Sequence, residues 1–427
     1  MTDARSVAAV RIADRLRRFP DLDLTPIETD GLDDRDASLA RAIDGAVHRR
    51  WVTLRAVTDH FTKPRRVDDQ VQAILMVGAA QLLLLDRLPD HAVIHQAVEW
   101  IRHGAKKPKA TGYVNAVLRR IADLRVELMP EGDPTSSDQL VRSDGTAWRL
   151  ATSIIPNLAT QTSFPGACWA MMVDAIGEAD AGSVAIGSIA KPPILLTGSD
   201  PLPDVLEPHE QRGFGVLPEG QAPGALLSDH PDLRVQDPTS AAALELARDL
   251  RPGRILDQCA GRGTKTRQML AMFPDAQITA TEPNSERRSL LQSSLGDRIA
   301  ILEPGGEGPS EPFDLVLADV PCSNSGVLAR RPEARYRLDE AHRNSVVELQ
   351  RQILGESLGV VSSGGHVLYA TCSIDPAENQ AQTRWLEGRG LALVAERSAL
   401  PTGRPGSPPS TWRDGGYAAL LRVTPRV

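Results

Sequence analysis

Two cysteines sit in the stretches of this sequence best suited to chemistry. Cys322 lies in DVPCSNSGVLARRPE (319–333), and Cys372 follows fifty residues later in LYATCSIDPAEN (368–379). Each stretch ends an apolar run that reads as a β-strand, so each thiol is expected at a strand end beside a polar loop. A Pro-Cys turn projects its thiol out of the sheet, where a sulfur can act as a nucleophile. The remaining cysteines, Cys168 and Cys259, read as small buried hydrophobes. No CxxC pair and no histidine at metal-ligand spacing accompany them, so neither a disulfide framework nor a metal is expected.

A second stretch, DQCAGRGTKT, runs from Asp257 through Cys259, Ala260, Gly261, Arg262, Gly263, Thr264 and Lys265 to Thr266. It reads as a strand-to-helix turn whose glycines let the backbone approach a ligand and whose helix amides can receive a negative group. The Walker pattern is absent. The next strand ends at Glu282, 25 residues after Asp257, where a carboxylate can accept both hydroxyls of a ribose. A dinucleotide and S-adenosyl-L-methionine both present that ribose. The glycine spacing departs from GxGxxG, which favours the methyl donor.

These residues need a scaffold, and the chain of 427 residues is long enough for two or three domains. Residues 1–128 read as a helical bundle. Leu39, Ile43, Val47, Trp51 and Leu54 form one stripe of an amphipathic helix, and VDDQVQAILMVGAAQLLLL reads as the buried central helix. Residues 129–145 are rich in Pro, Gly, Ser and Asp and read as a linker, followed by a small α+β connector over 146–235. From 236 to 427 short apolar runs alternate with helical segments, the pattern of an α/β, Rossmann-like, doubly wound sheet. The last run, GGYAALLRV, is expected to pair antiparallel at or near its edge.

The net charge is −7, but residues 101–120 carry six Lys and Arg and no acid. That run is expected to meet phosphates. The N-terminus lacks an apolar signal core and no run is long enough to span a membrane, so a soluble, cytoplasmic, monomeric protein is expected.

Three stretches then carry a resemblance. DQCAGRGTKT, DVPCSNSGVLARRPE and LYATCSIDPAEN resemble the DxCAAPGGKT, DAPCSGTGVLRRHPD and YATCSxxPEEN motifs of the RNA cytosine-C5 methyltransferases. VQDPTSAAA (235–243) resembles the segment that precedes the first. LARAIDGAVHRRW, GAAQLLLLDRLPDHAVIHQAVEW and GYVNAVLRRI are similar to the NusB-type helical RNA-binding domain. That domain joined to that catalytic unit is the arrangement of the RsmB/Sun family, which acts on small-subunit ribosomal RNA. The resemblance implies that Cys372 attacks C6 of the cytosine and that Cys322 assists release. It implies that a protonated Asp319 binds N3 and the exocyclic amine, with Lys265 pointing to the same site. The donor, S-adenosyl-L-methionine, would lie on Asp257 and on Cys259 to Lys265. Glu282 would hold its ribose and Glu303 would contact its adenine.

The sequence departs from the family where Gly261-Arg262-Gly263-Thr264 replaces Ala-Pro-Gly-Gly and where Asn324 replaces a glycine. Two other functions remain open at this point: the same chemistry on transfer RNA, and a non-catalytic ribosome-assembly protein that binds RNA.

Overall fold

The computed structural model of the chain describes residues 3–22, 25–62, 67–85, 88–198, 200–303 and 311–424. Its N-terminal helices pack around Asp69–Leu83, in which every residue from Val71 to Leu83 is buried. Asp68 starts this helix by accepting the Gln70 and Val71 amides. The stripe expected to form one helix is split between Asp34–Arg49 and Trp51–Thr62. The break falls at Arg50, whose guanidinium is buried and donates to Val141 O at 2.7 Å. A hydrophobic period reports a face and not a helix boundary, so the turn at Arg50 left no trace in it.

The expected linker is corrected by the structure. Residues 129–145 run through a three-stranded antiparallel sheet of Arg125–Met129, Gln139–Val141 and Ala147–Leu150. Their glycines and aspartates close tight turns between strands too short to show a period. Arg125 fixes this sheet to the helices by donating to Leu82 O and Asp90. The connector then adds helices Gly166–Ile176 and Glu178–Gly187 and a small four-stranded sheet.

The C-terminal part holds a seven-stranded sheet of β1 (Arg254–Asp257), β2 (Gln277–Thr281), β3 (Ala300–Leu302), β4 (Phe313–Asp319), β5 (Val361–Thr371), β6 (Leu391–Ala399) and β7 (Gly416–Val423). The order is β3-β2-β1-β4-β5-β7-β6. The first five strands are parallel, and β7 inserts antiparallel between β5 and β6. Helices flank the sheet, so its central strands are near-continuous apolar runs.

One segment joins the parts. After the Cys322 loop, Arg335 is wholly buried and donates to the carbonyls of Thr162, Ser188 and Leu328. Its neighbour Tyr336 donates to His48 O at 2.6 Å and accepts the Trp51 amide. The helical part is thereby held against the chain that carries the thiols. Arg335→Ala would strand the Thr162 and Leu328 carbonyls, while Ser188 O keeps Arg49, so urea unfolding should show a loss on the order of 3 kcal/mol.

Candidate active site

The register of the sheet brings the two cysteines together. β4 and β5 run in parallel with Asp319 opposite Ala370, so their carboxyl ends coincide. Cys322 Sγ and Cys372 Sγ lie 2.8 Å apart as free thiols. Asn324 adopts a left-handed backbone, φ +61°, the conformation for which glycine is favoured and asparagine tolerated. Its side chain braces the turn: Nδ2 donates to Cys322 O at 3.0 Å, and Oδ1 accepts from Cys372 Sγ at 3.3 Å. Gly326 permits the close approach of the two loops, since a Cβ there would stand 2.8 Å from Cys372 O and 2.7 Å from the Gly415 backbone.

Beneath the thiols lies a polar network built on Glu378, which is fully buried. Its Oε2 accepts the Ser323 amide at 2.9 Å and Gln350 Nε2 at 3.0 Å, and its Oε1 accepts Ser373 Oγ at 2.7 Å. Ser325 and Ser373 join hydroxyls at 2.9 Å, and Asn379 Nδ2 donates to Ser373 O. One carboxylate therefore ties the residue after Cys322 to the residue after Cys372. Sequence reasoning assigned no role to Glu378, Asn379 or Gln350. Glu378 and Asn379 lie within a motif whose cysteine drew the interest, whereas Gln350 lies on the helix Glu340–Val360, where nothing marks it.

Lys265 Nζ lies 2.7 Å from Asp319 Oδ2, both beside the thiols. Burial alone would lower the ammonium's pKa, but the Asp319 carboxylate outweighs it and raises the value, so Lys265 stays charged. The Cys322 thiol is pushed well above its ordinary range by the adjoining Cys372 sulfur and by burial. Cys322 therefore keeps its proton. Cys168 is buried among apolar side chains, and burial pushes its thiol up to about 12, in keeping with a packing role.

A cleft of about 960 Å³ opens along the carboxyl ends of the strands and reaches both cysteines, Asp319 and Lys265. Of the expected donor-binding residues, Cys259, Gly261, Lys265, Glu282 and Glu303 line it. Asp257 is buried beneath the turn, where its Oδ2 accepts Thr266 Oγ1 at 2.6 Å and burial raises its pKa to about 7. Its position makes it a support of the turn rather than a wall of the cleft. Gly263, in a left-handed conformation, starts the helix Thr264–Met272, and its Cβ would collide with Leu291. Ala260 packs into the core, and Arg262 points to solvent. Glu282 is buried, with Oε1 accepting the Asn284 amide. Glu303 sits at the rim, 72% exposed and 3.1 Å from Arg288.

The basic run 101–120 is acid-free in sequence but not in space. Arg102 and His103 pair with Glu99, and Lys107 lies 3.3 Å from Asp68. Among the described residues no cluster of His, Cys, Asp and Glu could hold a metal, and no helix is long and apolar enough to cross a membrane.

The family model described as 16S rRNA methyltransferase RsmB/F matches residues 243–390, and that of the NusB family matches residues 6–123. The chain is 30% identical over 413 residues to a protein of Xanthomonas campestris named ribosomal RNA small subunit methyltransferase B, covering 91% of this chain and 89% of the relative. It is 28% identical to the protein of the same name from Erwinia tasmaniensis, with 99% of each chain covered. The crystal structure of PH0851 superposes with a TM-score of 0.69 at 18% identity and covers 99% of both chains, a likeness of fold.

The shared network makes a selective chemical test possible. With limiting iodoacetamide at about pH 9, mass spectrometry should find Cys322 alkylated roughly ten-fold or more slowly than in the unfolded chain, because only ionised sulfur reacts and the folded site keeps the proton on Cys322. Equal labelling folded and unfolded would contradict it.

Proposed function

The chain belongs to the RsmB/F family of 16S rRNA methyltransferases, and we propose that it methylates C5 of a cytosine in small-subunit ribosomal RNA. The observation that carries this reading is the pair of thiols in contact at the end of a cleft that also holds Asp319 and Lys265. S-adenosyl-L-methionine, when bound, supplies the methyl group. The cleft fits such a ligand: Glu282 and Glu356 offer carboxylates to its hydroxyls and sulfonium, Arg287 and Lys265 offer cations to its carboxylate, and Gly261 leaves room beside the turn. Glu282 is the residue proposed to receive the ribose, and Glu303 the adenine.

C5 of cytosine is a poor nucleophile until electron density is pushed onto it. Cys372, as the thiolate, adds to C6 and forms the C–S bond, and C5 becomes carbanion-like. Asp319 faces N3 and the exocyclic amine, and the Lys265 ammonium 2.7 Å from it keeps its proton and offsets the negative charge the ring gains as the thiolate adds. After C5 has accepted the methyl, its hydrogen leaves as a proton to water in the open cleft. The C5–C6 double bond reforms, the C6–S bond breaks, and the electron pair returns to the Cys372 sulfur. Cys322 assists this release. The target base must leave its stack to reach the thiols, as other base-modifying enzymes require.

Two experiments test the reading. Glu282→Ala should weaken S-adenosyl-L-methionine binding in calorimetry by about ten-fold or more, since a charge-assisted hydrogen bond contributes roughly 1.5–3 kcal/mol. Cys372→Ala should neither methylate an rRNA fragment nor form an adduct. Cys322→Ala should methylate once and then accumulate an RNA-linked protein on a denaturing gel. The reverse pattern would exchange the roles of the two thiols, and full activity in both variants would end the reading.

A further inference from the structure

A second cleft, separate from the catalytic one, lies where the helical part meets the connector. It holds about 310 Å³, near the lower limit for a ligand pocket, and its wall carries four cations: Arg41, Arg49, Arg50 and Lys191. No carboxylate lines it. Ser143 adds a hydroxyl, and Gly45 and Ala46 keep its floor open.

The charge balance of this cleft is unusual. Arg50 is buried and spends its donors on Val141 O, Gln161 Oε1 and Thr53 Oγ1, all neutral. Arg49 donates through Nη1 to Ala329 O and Ser188 O, also neutral, and its other guanidinium nitrogens meet no acceptor among the described residues. Burial lowers the pKa of Arg49 to about 10 and that of Arg50 to about 9; Arg335 nearby adds repulsion to both, and the Glu333 carboxylate partly offsets it at Arg49. Neither guanidinium donates to a carboxylate, and positive charge so incompletely compensated favours an anion. The remaining two cations lie at the mouth. Among the described residues Arg41 donates to Thr29 Oγ1, and Lys191 shares an exposed ion pair with Glu219 that contributes little.

We propose that this cleft takes a phosphate of the RNA backbone and so forms part of the path along which the substrate lies. The inference rests on the proposed function. Placement favours RNA over a free anion. Arg49 holds the carbonyl of Ala329, and Arg331 and Glu333, a few residues on, line the catalytic cleft. A strand anchored on Arg41, Arg49 and Lys191 therefore passes beside the segment that follows the Cys322 loop. Planar guanidiniums suit a phosphate because their paired N–H groups match its oxygens.

The test uses the full chain carrying Arg41→Ala and Lys191→Ala, two exposed positions whose loss leaves the buried arginines in place. Fluorescence anisotropy with a labelled small-subunit rRNA fragment, over a series of KCl concentrations, should show binding weakened by about ten-fold and the log–log salt slope reduced by about two. An unchanged slope, with the unsubstituted protein still methylating the same fragment, overturns the phosphate site and leaves the proposed function standing. A protein that neither binds nor methylates any rRNA fragment overturns both. Inorganic phosphate supplies the second arm. If it raises the melting temperature of the unsubstituted protein and not of the variant, while RNA binding is the same in both, the cleft binds free anions and the assignment to RNA is wrong.

Discussion

Everything at this site depends on one buried carboxylate. Glu378 sits without solvent at the base of two loops from different strands and accepts a backbone amide from one and a hydroxyl from the other. A charge in that position is tolerable only because its oxygens are filled by donors, and those donors are what the loops consist of. If Glu378 were removed, the Ser323 amide, Gln350 and Ser373 would lose their acceptor together. The sulfurs themselves attract one another weakly. Their contact is a product of the network below and of the parallel pairing of β4 with β5.

The same economy governs the electrostatics above the network. Two thiols in contact cannot both ionise at moderate cost, so the structure places one cation, Lys265, among Cys372, Asp319 and the turn that follows β1. Two thiols and an ion pair then face one open cleft. Glu282 and Glu356 line it too, alongside Arg287, Arg331 and Arg337, so its walls carry both signs of charge. This clustering follows from strand ends in a parallel sheet, which deliver side chains of successive strands to one edge.

The residues proposed for the chemistry could be picked out in the sequence because they lie in contiguous motifs: the two cysteines, Asp319, Lys265 and Glu282 each stand in a short run with a recognisable form. What supports them was less so. Gln350 lies mid-helix with no local signature, and Asp257 is placed by its neighbours beneath the turn, which a motif does not specify. The strands at 139–141 and 147–150 are shorter than one hydrophobic period, so the Gly and Asp between them resembled loose chain. Along 101–120 the acid-free spacing is only partly kept in space, since Glu99 and Asp68 reach Arg102 and Lys107 from outside the run.

Arginine shows why charge read along a chain can point to the wrong surface. Arg49 and Arg50 end an amphipathic helix, a position at which cations complement the helix dipole and usually face water. Here the chain turns at Arg50 and three other segments close over both side chains, at Val141, Ser188 and Ala329. These guanidiniums become cross-links between parts of the protein far apart in sequence. Their hydrogen bonds fix geometry, yet none neutralises them, because every partner is neutral. A junction built this way is held together by direction rather than by charge pairing. Its positive potential stays available at the place where the helical part meets the catalytic loops.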